Sequence, residues 1–301
     1  MISPLTNRSN ALLQRLWTPL DRVILTLAVL ALPCPVLASD PPKLLGATPE
    51  LAYQNCMTLT TKKPEEAWEL ASGWIQTGGA FPARHCAALA LMSLKHYDEA
   101  GKRLQELGQE MAKESPELIA AVLGQAGRAW LLANEANLAY SVQSRALQLT
   151  PNDPELLVDR AESLAMAKRL PEAIDDLTKA LTLDPRKADA LVLRASAHRQ
   201  LDQFDAAKQD VDRALAIDTN HVDGLLERGI LRARAGDQDN ARADWMRVLK
   251  LSPDGPTGDA ARKNIENMDV KVEGKPAANA AAPAAAPAPS AAPTAPAARP
   301  K

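Results

Sequence analysis

The second half of this chain repeats itself every 34 residues. The interval separates the members of two sets of residues: Pro151, Pro185, Thr219 and Pro253 in one, and Ala139, Ala173, Ala207 and Ala241 in the other. A repeat of this length predicts small helical units that bury their apolar faces only by stacking on one another. The sequence therefore predicts an elongated stack with a large surface, and not a fold closed around one central core.

Helix start and stop signals extend the pattern toward the amino end. Thr48, Pro49 and Glu50 provide a cap, a proline at the first helical position and an acid in the first turn. From there we expect helical pairs at 49–60 with 64–77 and at 83–95 with 98–113. These pairs make a less regular segment, 49–116, which precedes four regular units over 117–253. Ala100 and Ala139 lie 39 residues apart, which predicts a longer second helix or turn in the second pair.

Further columns of the 34-residue register carry one residue type each. Small side chains recur at Gly127, Ala161, Ala195 and Gly229 and again at Ala146, Ala180 and Ala214, and leucine recurs at Leu123, Leu157, Leu191 and Leu225. These columns, with the phrases LPEAIDDLTKALTLDP and FDAAKQDVDRALAIDT, resemble the tetratricopeptide repeat family. The resemblance implies an all-α fold, a right-handed α-solenoid of helix-turn-helix repeats whose first helices line a concave face.

Opposite charges recur at a fixed spacing in three units. Each of three arginines is followed 16 residues later by an aspartate, giving Arg160 with Asp176, Arg194 with Asp210 and Arg228 with Asp244. In the preceding unit both charges are absent, at Ala126 and Val142. Joint presence and joint absence predict three ion pairs within the repeats. A row of free arginines that binds anions is the alternative.

The resemblance also implies a partner-binding surface, because the family binds peptides at positions 2, 5, 9, 12 and 13 of each first helix. These positions hold Arg128, Leu131, Leu132, Glu155, Val158, Glu162, Ala165, Met166, Asp189, Val192, Ser196, Arg199, Gln200, Asp223, Leu226, Ile230, Ala233 and Arg234. Family members that grip a terminal carboxylate use asparagine at position 9, where this chain has none, so we expect no carboxylate clamp. A solvated charged face without a ligand is the alternative to a peptide groove.

The sequence contains no catalytic or metal-binding pattern. It lacks a Walker loop, a GxSxG turn and an HExxH helix, and its four histidines, His85, His96, His198 and His221, fall in different units. We therefore expect no enzyme, no metal and no cofactor. Basic residues are nowhere dense enough to predict nucleic-acid binding.

The amino end has the features of a secretory signal peptide, 1–38. Three arginines precede an apolar run of ten residues, 23–32, and Val36-Leu37-Ala38 fits a cleavage site. The run is about half the length that spans a bilayer, which favours cleavage over a retained anchor and predicts no membrane span afterwards. We expect an exported, periplasmic protein that begins with a short leader, 39–48.

Cleavage would remove Cys34 and leave two cysteines, Cys56 and Cys86. An even pair in an oxidising compartment predicts one disulfide bond. Two buried free cysteines between helices are the alternative.

The carboxyl end predicts a cap and a tail. Apolar residues fall on one face of 257–268, which predicts an amphipathic capping helix within 254–270. Alanine and proline dominate 271–301, which predicts a disordered tail, either inert, a spacer or a ligand for another module.

Together these features predict a protein-protein interaction scaffold or adaptor in the cell envelope, which captures a segment of a partner protein on its concave face. A permanent structural subunit of an envelope assembly is the alternative, and an enzyme is the least favoured interpretation.

Overall fold

Thirteen α-helices follow one another along residues 48–273, the part of the chain that the computed structural model describes, and no strand occurs among these residues. The helices are α1 (Pro49–Lys62), α2 (Pro64–Gln76), α3 (Ala80–Ser93), α4 (Tyr97–Glu110), α5 (Pro116–Leu132), α6 (Ala136–Leu149), α7 (Pro154–Met166), α8 (Leu170–Leu183), α9 (Ala188–Gln200), α10 (Phe204–Ile217), α11 (Val222–Arg234), α12 (Gln238–Leu251) and α13 (Pro256–Glu273). The predicted signal peptide and tail positions 274–301 lie outside the described residues. None of the thirteen helices is long and apolar enough to cross a membrane.

The helices pack as pairs in series. Each helix contacts the next along the chain, and the first helices also contact one another, α5 with α7, α7 with α9, α9 with α11 and α11 with α13. The first helices therefore form one continuous layer, while the second helices, α6, α8, α10 and α12, form the other. This arrangement is an all-α solenoid and confirms the predicted fold class.

Small residues lie where the two layers meet. The alanines that keep the 34-residue interval, Ala139, Ala173, Ala207 and Ala241, have no exposed surface. Leucines of the first helices, Leu123, Leu157, Leu191 and Leu225, are buried beside them. Close packing leaves no room for a larger group at the alanine positions. The 34-residue interval in the sequence therefore marks the points where the two helices of each pair cross.

The turn between the two helices of a pair has the same backbone conformation in five units. Lys95, Asn134, Lys168, Asp202 and Gly236 all have a positive φ, from 59° to 87°. The N–H group of the following residue then donates to a carbonyl five residues back, as Arg169 does to Leu164 at 2.8 Å. This is the hydrogen-bond pattern of a Schellman motif, which ends a helix through one left-handed residue. Four of the five positions carry a side chain, although glycine is favoured there.

Four predicted boundaries need correction, and the first is the end of α4, which lies at Glu110 rather than at 113. Helix α3 begins at Ala80 rather than at 83, because Pro82 lies in the first turn, where a missing N–H group breaks no helical hydrogen bond. The longer second pair does not have a longer second helix, since α4 has 14 residues like α6; the extra residues lie in the following turn and in α5, which has 17 residues where α7 has 13. Helix α13 continues to Glu273, three residues into the predicted tail.

Candidate functional site

Three first helices, α7, α9 and α11, line an open cavity of about 390 Å³. We call this cavity the groove. It contains eight of the residues predicted for partner binding: Glu155, Val158, Glu162, Asp189, Val192, Ser196, Asp223 and Leu226. Because these residues occupy equivalent turns of successive helices, the groove runs across three neighbouring repeats.

The other predicted partner-binding residues lie elsewhere. Ile230 lines a second cavity of about 220 Å³, which also includes Trp245 of α12 and Met268 of α13. Arg234 stacks over the ring of Phe204 at 3.9 Å and contacts Asp202 at 3.4 Å. Leu131 and Met166 are not part of the groove lining, and Met166 is exposed.

Acidic residues dominate the groove. Six of its lining side chains are carboxylates, and its basic lining residues are Lys187 and His221. Sequence reasoning missed four of these charged residues: Asp159, Lys187, His221 and Glu227. The 34-residue register held a signal for them, since Lys187 and His221 each directly precede a first helix and Asp159 and Glu227 occupy the same turn of α7 and α11.

The acid at the second position of each first helix reaches the start of the next one. Glu155 pairs with Lys187, Asp189 accepts a hydrogen bond from Nε2 of His221 at 3.0 Å, and Asp223 accepts one from Thr257 at 2.8 Å. His221 also caps α11, because its Nδ1 accepts from the N–H of Gly224 at 3.2 Å. These three contacts tie α7, α9, α11 and α13 together along one edge of the groove.

Two arginines at the sides of the groove are already paired. Arg128 of α5 lies 3.2 Å from Asp159, and Arg199 of α9 donates two hydrogen bonds to Glu227, at 2.6 and 2.9 Å. Glu227 is 7% exposed, so Arg199 offsets a charge that is largely shielded from water. Arg199 is therefore held by its neighbouring repeat, and its role in partner binding stays a prediction.

Two groove carboxylates have strongly raised pKa values. Burial raises the pKa of Asp159 to about 6, and Arg128 opposes the rise only in part. Desolvation within the groove, followed by repulsion from Asp159 and Asp189, raises the pKa of Glu162 to about 7. The side chain of Glu162 still contacts water at the groove mouth. At neutral pH it is therefore divided between its protonated and ionised forms.

The three predicted hairpin pairs are close in space. Arg160 donates to Asp176 with two hydrogen bonds of 2.7 Å, Arg194 does the same to Asp210, and Arg228 donates to Asp244 at 2.9 and 2.7 Å. Each is a bidentate contact between the two helices of one repeat, α7 with α8, α9 with α10 and α11 with α12. The arginines lie outside the groove lining.

Two of the three repeated arginines also contact the preceding repeat. Arg160 lies 3.4 Å from the hydroxyl of Ser144, and Arg194 donates to the hydroxyl of Thr178 at 3.0 Å. Each guanidinium thus joins its own hairpin to its neighbour.

The amino-terminal repeats contain a buried polar cluster. Cys56 and Cys86 lie side by side between α1 and α3 with Cα atoms 6.1 Å apart, a separation that suits a disulfide bond. His85 lies between the hydroxyl of Tyr53 at 2.7 Å and the amide oxygen of Gln125 at 2.6 Å. Because Gln125 presents an oxygen, Nε2 of His85 donates and Nδ1 accepts from Tyr53. Burial lowers the pKa of His85, which favours this neutral form.

Among residues 48–273, no group of three or more histidine, cysteine, aspartate or glutamate side chains is arranged to hold a metal ion. The raised pKa values of the groove belong to Asp159 and Glu162, which both lie on α7. Their geometry suits binding of an extended chain with polar or charged side chains.

Comparisons with known proteins agree with this architecture. A family model described as tetratricopeptide repeat matches residues 188–221. Tetratricopeptide repeat protein 13 of Homo sapiens is 30% identical over 152 residues, which cover 49% of this chain and 16% of that protein. The chain thus spans about a sixth of the length of this curated relative.

Two solved structures with similar folds have lower identity. TTC0263, a thermophilic tetratricopeptide repeat protein of Thermus thermophilus, is 20% identical with a TM-score of 0.52, covering 63% of this chain and 99% of that one. A chain of the APC/C hetero-tetramer Cut9–Hcn1 is 17% identical with a TM-score of 0.58, covering 71% of this chain and 42% of that one. At these identities the likeness shows the fold.

Proposed function

Because the chain belongs to the tetratricopeptide repeat proteins, we propose that it is an interaction scaffold that binds a segment of another protein in the groove. Proteins built of these repeats generally act as scaffolds, and we propose no catalytic role for this one. The binding would be reversible capture of an extended segment that lies across α7, α9 and α11.

One observation carries the proposal: equivalent faces of three successive first helices open into one continuous groove. Val158 and Val192 lie in its wall and are nearly covered by protein, while Glu155, Asp189 and Asp223 stand at its edge. The inter-repeat contacts of the groove hold these side chains in place before a partner arrives. A preformed site loses less conformational freedom on binding, which favours affinity.

A structural subunit of a larger assembly is the second candidate. Leu149, Leu183, Ile217 and Leu251 keep the 34-residue interval at the ends of the second helices, and each is 36–43% exposed. A row of partly exposed apolar side chains suits a permanent interface with another subunit.

We also propose that the chain is exported and that Cys56 and Cys86 are oxidised in the compartment it reaches. The apolar run before Ala38 supports export, and the burial of both cysteines at bonding separation supports one disulfide. Amino-terminal sequencing of the cellular protein would test the first part, with cleavage after Ala38 as the expected result.

Site-specific photo-crosslinking tests the groove in intact cells. A photoreactive residue in place of Ser196 faces the groove, and one in place of Gln209 lies on the exposed side of α10 as the control. We expect adducts with a partner protein from position 196 and few from position 209. Adducts from position 209 alone would place the interface on the layer of second helices and contradict the proposal. Stoichiometric adducts at position 209 would favour the structural subunit.

A further inference from the structure

We infer that the groove selects a partner segment with a lysine or arginine side chain, which lies against Glu162 between α7 and α9. This inference rests on the proposed function, because it names the chemistry of the segment that the same groove would hold. Charge complementarity between the groove and that side chain carries it.

The protein's own cations do not neutralise the groove. Arg128 and Arg199 are paired with Asp159 and Glu227, and Lys187 is paired with Glu155. His221 caps α11 through Nδ1, and its Nε2 donates to Asp189. Six carboxylates thus face three permanent cations, and the excess charge of the groove is negative.

Glu162 is the groove carboxylate without a partner of its own among the described residues. Glu155, Asp159 and Glu227 each form an ion pair, and Asp189 and Asp223 accept hydrogen bonds from His221 and Thr257. The charged groups that influence it are Arg128 from α5, Asp159 from its own helix and Asp189 from α9. From α11 the groove adds Asp223, Glu227 and the imidazole of His221. Two nearby acids and one already paired arginine leave a position that favours an added positive charge.

The apolar part of the groove supplies the rest of the contact. Val158 of α7, Val192 of α9 and Leu226 of α11 occupy the same turn of successive helices. A basic side chain beside Glu162 would lay its methylene groups along these residues and keep its charged end at the carboxylates. An acidic segment would meet like charge in the same place, which opposes binding.

Proton linkage follows from the state of Glu162 in the empty groove. A cation bound beside this carboxyl favours its ionised form and lowers its pKa from about 7. Binding therefore releases protons, and the affinity rises as the pH rises through 7 and levels off above about pH 8. Asp159, with a pKa of about 6, contributes in the same direction at lower pH.

The test uses fluorescence anisotropy with the full chain and three fluorescein-labelled peptides of twelve residues. The peptides share an alanine and leucine sequence and carry two lysines, two glutamines or two glutamates. We expect the lysine peptide to bind at least about tenfold more tightly than the glutamine peptide at pH 8, and the glutamate peptide not to bind. We also expect the affinity for the lysine peptide to fall severalfold between pH 8 and pH 6.

Two variants locate the effect. Glu162→Gln should weaken the lysine peptide about fivefold or more and remove most of the pH dependence between 6 and 8. Asp175→Asn removes the same charge from an exposed position on α8 of the same repeat and should change neither. An equal loss of affinity for the lysine peptide in both variants would show that net charge alone attracts the peptide, and it would overturn the inference.

The remaining outcomes separate this inference from the proposed function. If all three peptides bind equally, or if a partner crosslinked at position 196 lies there through an uncharged or acidic segment, the inference is wrong while the scaffold function stands. If sedimentation shows self-association that Glu162→Gln abolishes, the occupant is a second copy and the inference is overturned. If position 196 yields no adduct and no peptide binds, both fail.

Discussion

Gly229 of α11 and Trp245 of α12 share one space within the last repeat. A Cβ atom on Gly229 would lie 2.7 Å from Cδ1 and 2.8 Å from Cε2 of the indole ring. The same pair of positions holds Gly127 and Gln143 in the first regular unit, where the amide group occupies the space beside the glycine. In the two middle repeats these positions hold Ala161 with Leu177 and Ala195 with Val211. Glycine on the first helix thus accompanies the bulkier residues, Gln143 and Trp245, whereas alanine accompanies leucine or valine.

Gly229→Ala should destabilise the protein by about 1–3 kcal/mol, because the added methyl group overpacks against Trp245. In a Trp245→Leu background the same change should be close to neutral or stabilising, since alanine is the better helix former by about 1 kcal/mol. Urea unfolding of the two single variants and the double variant measures this coupling. Gly224→Ala is the control, because a Cβ atom on Gly224 would have the end of the flexible Leu215 side chain, at 3.3 Å, as its nearest contact. A Gly229→Ala cost that is the same in both backgrounds would contradict the shared-space explanation.

Arg194→Leu should destabilise the protein by about 3 kcal/mol, because it removes the two hydrogen bonds to the buried carboxylate of Asp210 and leaves that carboxylate only the longer contact with Arg213, at 3.8 Å. Replacing both residues, Arg194→Leu with Asp210→Leu, should cost clearly less than the single change, since no unpaired charge remains. Thermal and urea unfolding test the order of the variants. Lys208→Ala removes one member of an exposed pair with Asp212 and should cost less than about 1 kcal/mol. A double variant less stable than Arg194→Leu alone would argue against this account.

Lys168→Gly should stabilise the protein by up to about 1 kcal/mol, because Lys168 has a φ of 63° and glycine adopts that region without steric cost. The greater freedom of glycine in the unfolded chain offsets part of the gain. Lys102→Gly, inside α4, should instead cost about 1 kcal/mol. Opposite signs for the two lysine-to-glycine changes, read from the midpoint of urea unfolding, are the expected result, and a loss of stability at both positions would contradict it.

Glu162→Gln should make unfolding depend less on pH. The pKa of Glu162 in the folded protein, about 7, lies above its unfolded value, so the folded state binds the proton more tightly. This contribution to stability is complete below the unfolded pKa and is lost as the pH rises through 7. The variant should match the natural chain near pH 4 and exceed it at pH 8, by at most about 1 kcal/mol because solvent screens the partly exposed group.

Glu172→Gln should change the pH dependence of stability in the opposite direction, and it serves as the comparison. Arg169 lowers the pKa of Glu172 through a side-chain hydrogen bond, so that its contribution is present above the unfolded pKa and is lost as the pH falls. This variant should be slightly less stable than the natural chain at pH 8 and equal to it at low pH. Melting temperatures of both variants between pH 4 and pH 8 are the measurement, and a Glu162→Gln variant less stable at pH 8 would contradict the assignment.

Reduction should lower stability by about 2–4 kcal/mol if Cys56 and Cys86 are bonded, because the bond closes a loop between residues 30 apart and restricts the unfolded chain. Thiol titration of the unfolded protein should find two more thiols after reduction than before. A Cys56→Ala and Cys86→Ala double variant should lose its response to reductant. Identical unfolding curves with and without reductant for the natural chain would show that the two cysteines stay free.

The resemblance to the tetratricopeptide repeat family predicted some of the groove residues and not others. The family positions at which peptides bind put Glu155, Glu162 and Asp189 on one face, because each residue occupies a fixed turn of its helix. The resemblance also put Arg199 on that face, but it did not predict the contact of Arg199 with the buried Glu227. That contact joins residues of two different repeats, and the rotation between repeats decides it.

The 34-residue register was enough to predict the fold class, the length of the unit and the pairing of helices. The reason is local: a residue and its partner 16 positions later belong to one hairpin, so Arg160 and Asp176 meet wherever that hairpin forms. The charges that meet between hairpins, such as Arg128 with Asp159, could be identified only in the folded protein. The excess negative charge of the groove depends on how neighbouring repeats stack, and the spacing of residues along the chain does not specify that geometry.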